Sequence, residues 1–126
     1  DFDEGQPNLF EVTFYVNGIK DGEYTKYYKN GRIMLQGNYE LGEREKKFTT
    51  YYSNGKKKTE IHYKHGIKNG YTLNYASNEK LLSKQYYHKG FVLEGKRLEE
   101  YLARKRKIAT KKKNWICWLS IQCLDN

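Results

Sequence analysis

Three histidines, two cysteines and fifteen acidic residues are the side chains of this chain best suited to proton transfer, nucleophilic attack or metal ligation. His62 and His65 stand three residues apart in a strand-to-turn passage where their side chains diverge, and His88 lies further along. A metal site needs several His, Cys or carboxylate ligands converging on one point, and the spacing brings none together. The acids are scattered at turns, as solvating charges usually are. There is no phosphate-cradling glycine loop and no nucleophile elbow. The expectation is a protein without catalytic, cofactor-binding or metal-ligating residues, needing no cofactor, and not an enzyme.

Cys117 and Cys123 fail a simple geometric test for a disulfide. Their Cα atoms would lie roughly 9 Å apart along a helix and about 20 Å apart along a strand, whereas a disulfide needs about 7 Å or less. A turn between them, or pairing across two chains, would be required. Two free buried thiols, lipidation and an intersubunit bridge are the readings left open.

The elements that position these residues are set by a recurrence. A tyrosine followed three residues later by glycine appears at Tyr15/Gly18, Tyr39/Gly42, Tyr63/Gly66 and Tyr87/Gly90, a fixed spacing of 24. The same phase relates Tyr27, Tyr51 and Tyr75, and also Asn30, Asn54 and Asn78. Such a period implies supersecondary units that bury apolar surface only by stacking on their neighbours. Asn30-Gly31 and Asn54-Gly55, flanked by runs rich in Tyr, Thr, Ile and Leu, predict hairpins with type I′ turns. The Tyr-x-x-Gly segments make the return turns at the opposite edge. The third copy is the most altered: Glu79 replaces the glycine, and Ala76 stands where Tyr28 and Tyr52 do.

The predicted fold is therefore all-β: an elongated, single-layer antiparallel meander of about seven or eight short strands, followed by a C-terminal helical segment. Strands are expected near 10–17, 22–29, 33–40, 46–53, 57–64, 70–77 and 80–88. Residues 1–11 read as a lead-in, 12–95 as the hairpin array and 96–126 as a basic helix with an apolar tail. Aromatics make up 16% of residues while the hydrophobic fraction is only 37%, which suits a thin sheet whose rings cover the backbone while their hydroxyls reach water. Most tyrosines are then structural. Tyr24, Tyr28, Phe48 and Tyr52 are the candidates for an aromatic face that meets a partner.

The stretch Gly22-Glu23-Tyr24-Thr25-Lys26-Tyr27-Tyr28-Lys29-Asn30-Gly31, echoed by Phe48-Thr49-Thr50-Tyr51-Tyr52-Ser53-Asn54-Gly55, resembles the MORN (membrane occupation and recognition nexus) repeat. More narrowly, it is similar to the 24-residue variant of small bacterial and some viral proteins that are often labelled antitoxins. The resemblance covers roughly residues 12–95. It implies an antiparallel sheet acting as a non-catalytic scaffold, with a protein partner on its aromatic face or at its termini. An antitoxin or immunity-type role is the concrete form of that implication.

Beyond Gly95 the period changes. Leu98, Tyr101, Leu102, Lys105, Ile108 and Ala109 recur at helical spacing over 96–113. Residues 96–126 hold 9 of the 24 Lys and Arg but 3 of the 15 acids, giving +6 of the net +9. Arg104, Lys105, Arg106 and Lys107, with Lys111, Lys112 and Lys113, form a basic surface suited to an anionic membrane or an acidic partner. Nucleic acid is disfavoured, because no nucleic-acid-binding signature accompanies the charge. Trp115 and Trp118 lie in a closing apolar stretch that is half the length of a membrane span. That stretch suits docking onto the sheet, a homo-oligomeric contact or a membrane interface. The chain begins at Asp1, which reads as a trimmed or matured product. A cytoplasmic location is favoured, with a periplasmic or secreted one expected if a signal peptide was removed.

Overall fold

The computed structural model describes residues 7–119. Eight strands lie in one open sheet in chain order: β1 (Pro7–Val16), β2 (Ile19–Tyr28), β3 (Ile33–Glu40), β4 (Glu43–Tyr51), β5 (Lys57–Lys64), β6 (Ile67–Tyr75), β7 (Leu81–His88) and β8 (Phe91–Leu93). The strand ladders from β1 to β7 are all antiparallel. A helix, α1 (Gly95–Leu119), follows. The chain divides into two compact units, one ending at Val92 and the other beginning at Leu93.

The two edges of the sheet use different turns, and their assignment reverses one expectation. The type I′ hairpins are not at Asn-Gly but at the Tyr-x-x-Gly edge. There Asn17-Gly18, Leu41-Gly42, His65-Gly66 and Lys89-Gly90 each take positive φ at both turn residues, between 50° and 86°. Val16 pairs with Ile19, Glu40 with Glu43 and Lys64 with Ile67, which leaves two-residue loops. At the opposite edge Gly31 and Gly55 have positive φ (85° and 87°) but Asn30 and Asn54 do not. Gly31 N–H bonds the Tyr28 carbonyl at 2.9 Å, and Tyr28 N–H bonds the Arg32 carbonyl at 2.8 Å. This is a three-residue loop, a type I turn closed by a left-handed residue. The asparagines act through their side chains instead, each Oδ1 accepting the amide two residues on: Arg32 at 3.0 Å, Lys56 at 2.9 Å and Lys80 at 3.1 Å. An Asx turn satisfies the amide without a positive φ.

Strands β2, β4 and β6 begin three residues earlier than their pattern suggests. Gly22, Lys46 and Gly70, which look like strand starts, sit inside the strands at bulges, with φ of 109°, 63° and 107°. Each bulge sets extra residues of the even strand against one residue of the strand before it, between Thr13 and Tyr15, Gln36 and Asn38, and Ile61 and Tyr63. β1 also starts earlier than the predicted 10–17, at Pro7. At the other end α1 does not stop at Lys113 but runs on to Leu119. No proline or glycine interrupts it after Gly95, and most of its residues are good helix formers.

Units 24 residues apart are tied by recurring bonds. Tyr28 Oη donates to the Tyr51 carbonyl at 2.5 Å and Tyr52 Oη to the Tyr75 carbonyl at 2.7 Å. Asn30 Nδ2 donates to the Ser53 carbonyl at 3.1 Å and Asn54 Nδ2 to the Ser77 carbonyl at 3.4 Å. On the I′ edge, Gly42, Gly66 and Gly90 donate to the carbonyls of Lys20, Arg44 and Lys68 at 2.8 to 3.0 Å. Among the described residues Tyr24, Phe48 and Tyr86 are the buried hydrophobic ones, and no side chain is wholly enclosed.

Candidate interaction surfaces

One face of the sheet carries a run of edge-to-face rings. Tyr24 meets Tyr39 at 5.4 Å, Tyr39 meets Phe48 at 5.6 Å and Phe48 meets Tyr63 at 5.4 Å between centroids. Cations close it over: Lys20 lies above Tyr24 and Tyr39 and Arg44 above Phe48 and Tyr63, at 5.0 to 5.4 Å. Such contacts fix the rings and shield them from water. Phe48 also lies against Gly37, where a Cβ would come within 2.4 Å of the ring. Only glycine leaves room for it.

The sequence-predicted partner residues therefore have structural duties. Tyr24 and Phe48 are 8% and 4% exposed. The Tyr24 hydroxyl bonds Glu11 Oε2 at 3.0 Å, and burial first, then the carboxylate, pushes its pKa up to about 12. Tyr28 and Tyr52 use their hydroxyls on backbone carbonyls. Trp115 is exposed on α1, as are Arg104, Lys105, Arg106, Lys107, Lys111, Lys112 and Lys113. The Trp118 side chain, Cys117 and Cys123 lie outside the described side chains.

Two surfaces went unread in the sequence. The first is the outer edge of the sheet. No described strand pairs beyond β1, yet β1 is ten residues long and Glu11 is its single charged residue. Phe10, Val12, Phe14, Tyr15 and Val16 are all exposed, joined by Ile19 across the turn. Alternation in Phe10-Glu11-Val12-Thr13-Phe14 announces a strand, but nothing in it says that the strand lacks an outer neighbour. The second surface is at the I′ edge. There Glu43, Glu45 and His65 each bring a ligand atom within 4.8 Å of the others. His62, by contrast, turns its Nδ1 to the Tyr71 carbonyl at 2.9 Å.

Another charge cluster centres on Glu60. Glu60, buried in the sheet, bonds Lys57 Nζ at 2.5 Å with Lys47 at 4.0 Å. The Lys57 hydrogen bond holds its carboxyl below the usual carboxylate value against the opposing effect of burial. Two open depressions of about 420 and 410 Å³ share Tyr51 and Lys57, and their linings mix lysine with glutamate. No described helix is long and apolar enough to cross a membrane.

Comparison with models of protein families, with curated proteins and with solved structures finds no match for this chain.

Proposed function

We propose that this protein is a non-catalytic interaction scaffold of the MORN-like repeat kind, and that it takes a protein partner by strand addition at β1. An antitoxin or immunity role, in which the partner is a toxin, is the concrete form of this reading. The observation that carries it is the β1 edge, which beyond Pro7 is long, nearly uncharged and apolar, where soluble proteins ordinarily place lysines or a cover. An extended segment laid antiparallel along Glu11–Val16 would continue the order of the sheet and satisfy its outward N–H and C=O groups. Alternate apolar residues of that segment would cover Val12, Phe14 and Val16. The aromatic ladder supports the same view from the other side, since its rings already stabilise the sheet and leave recognition to surfaces that are not yet covered.

The test is a display selection of ten-residue peptides against the full chain, followed by hydrogen exchange. Bound peptides should slow exchange of the β1 amides, and Phe14→Lys with Val16→Lys should abolish binding without altering the fold. Peptides that bind equally well to that variant would overturn the reading.

A second reading concerns α1. Because the helix continues past Lys113, Arg97, Arg104, Ile108, Lys111 and Trp115 fall along one side of a single rod at helical spacing. Arginine, lysine and tryptophan on one strip suit an anionic membrane surface. Flotation with vesicles containing phosphatidylserine tests it. Retention that is unchanged after removal of residues 96–126 rules it out.

A further inference from the structure

We infer that Glu43, Glu45 and His65 form a binding site for a divalent transition-metal ion of the zinc class. His65 Nδ1 lies 3.0 Å from Glu45 Oε1 and 3.7 Å from Glu43 Oε2. Ligand atoms on a tetrahedral ion with bonds of about 2.0–2.2 Å are separated by about 3.3–3.6 Å. The two observed distances bracket that value, and all three ligand atoms lie within 4.8 Å of one another. Glu43 and Glu45 are two apart on β4 and so share a face. Glu45 is held in place, with its side chain only 12% exposed and its Oε1 accepting the His65 amide at 2.5 Å.

The fold does not require this trio. The neighbouring I′ turns have the same backbone and the same type of support. Leu41 N–H bonds Asp21 at 3.3 Å, and Lys89 N–H bonds Asn69 at 3.4 Å. One carboxylate or amide per turn is enough for that bond. Where β4 carries Glu43, its counterparts carry Ile19 and Ile67, and where the middle turn has His65 the others have Leu41 and Lys89. Glu43 and His65 are thus additions to a turn that forms without them. At 3.7 Å the Glu43 carboxylate is too far to hydrogen-bond the imidazole, yet it points at the same place. An imidazole with two carboxylates favours zinc and its first-row neighbours over magnesium or calcium, which prefer all-oxygen shells. The remaining coordination position is left to water or to a side chain supplied by a partner.

The experiment uses the full chain with Cys117→Ser and Cys123→Ser, which removes competing thiols, titrated calorimetrically with zinc chloride and spectroscopically with cobalt(II). One equivalent should bind, and cobalt should give the intense visible bands of a four-coordinate site. His65→Leu and Glu43→Ile install the residues of the neighbouring turns, so the metal-free variants should keep their circular dichroism and melting point. Each should weaken zinc binding by at least about 10-fold, whereas His62→Asn should leave it unchanged. No saturable binding, or binding that survives His65→Leu and so reflects an adventitious ion only, would overturn the assignment.

Discussion

The hydroxyl of Tyr28 donates to the main-chain carbonyl of Tyr51, 2.5 Å away and 23 residues on in sequence. Tyr52 makes the corresponding bond to Tyr75 at 2.7 Å, and the series ends there because Ala76 has no hydroxyl. These bonds run between one hairpin and the next, beyond the reach of any strand ladder.

Tyr28→Phe removes such a bond while keeping the ring. The expected loss is about 1 kcal/mol of stability, measured by urea denaturation, with a similar loss for Tyr52→Phe. A change below a few tenths of a kcal/mol in both variants would show that the ring alone holds the hairpins together.

Lys46 occupies the left-handed bulge position that Gly22 and Gly70 fill in the neighbouring strands, with φ of 63°. A side chain there costs about 1–2 kcal/mol, partly offset by the greater chain entropy that glycine loses on folding. Lys46→Gly should therefore stabilise the protein by about 0.5–1 kcal/mol, seen as a higher denaturation midpoint. Gly70→Ala should do the reverse, since its Cβ would come within 3.3 Å of His62 Cβ at a φ of 107°.

Glu60 titrates below the normal carboxylate value because Lys57 hydrogen-bonds its ionised form. A depressed folded-state value means that the unfolded chain takes up the proton first. The stabilisation is complete above the ordinary value of 4.5 and is lost as pH falls through the lower folded value. Glu60→Gln should flatten the stability curve over that acidic interval, as followed by thermal melts from pH 6 downward. An unchanged acid limb would show that the pair has no net effect.

Tyr24 behaves oppositely. Burial and the Glu11 carboxylate raise its phenol from 10.0 to about 12, so the folded state keeps its proton while the unfolded chain releases it. Its contribution is full below pH 10 and declines between about 10 and 12. Tyr24→Phe should unfold less steeply in that interval than the parent, monitored by circular dichroism under alkaline titration.

Much of the fold was legible because its local signals are strong. Alternating tyrosines, threonines and aliphatics between glycine-centred turns dictate short strands, and a fixed period dictates that those strands follow one another in a single sheet. The change at Gly95 likewise announced the helix. The turn types were not legible. Asn-Gly is a preference, and whether it closes a two-residue or a three-residue loop depends on the register of the strands on either side. Nor could alternation show that Lys46 is inside β4, because a bulge shifts the pattern without changing the residue types.

The surfaces divide in the same way. By itself the sequence determined which residues could cover a thin sheet, where the positive charge gathers and which tyrosines belong to one phase. Only the tertiary structure decided that Tyr24 and Phe48 are covered, that β1 has no described neighbour on its outer side, and that Glu43 and Glu45 meet His65. The physical reason is that backbone conformation follows local sterics and hydrogen bonding. Convergence across a turn depends on pairing register, which brings β4 beside a loop more than twenty residues away.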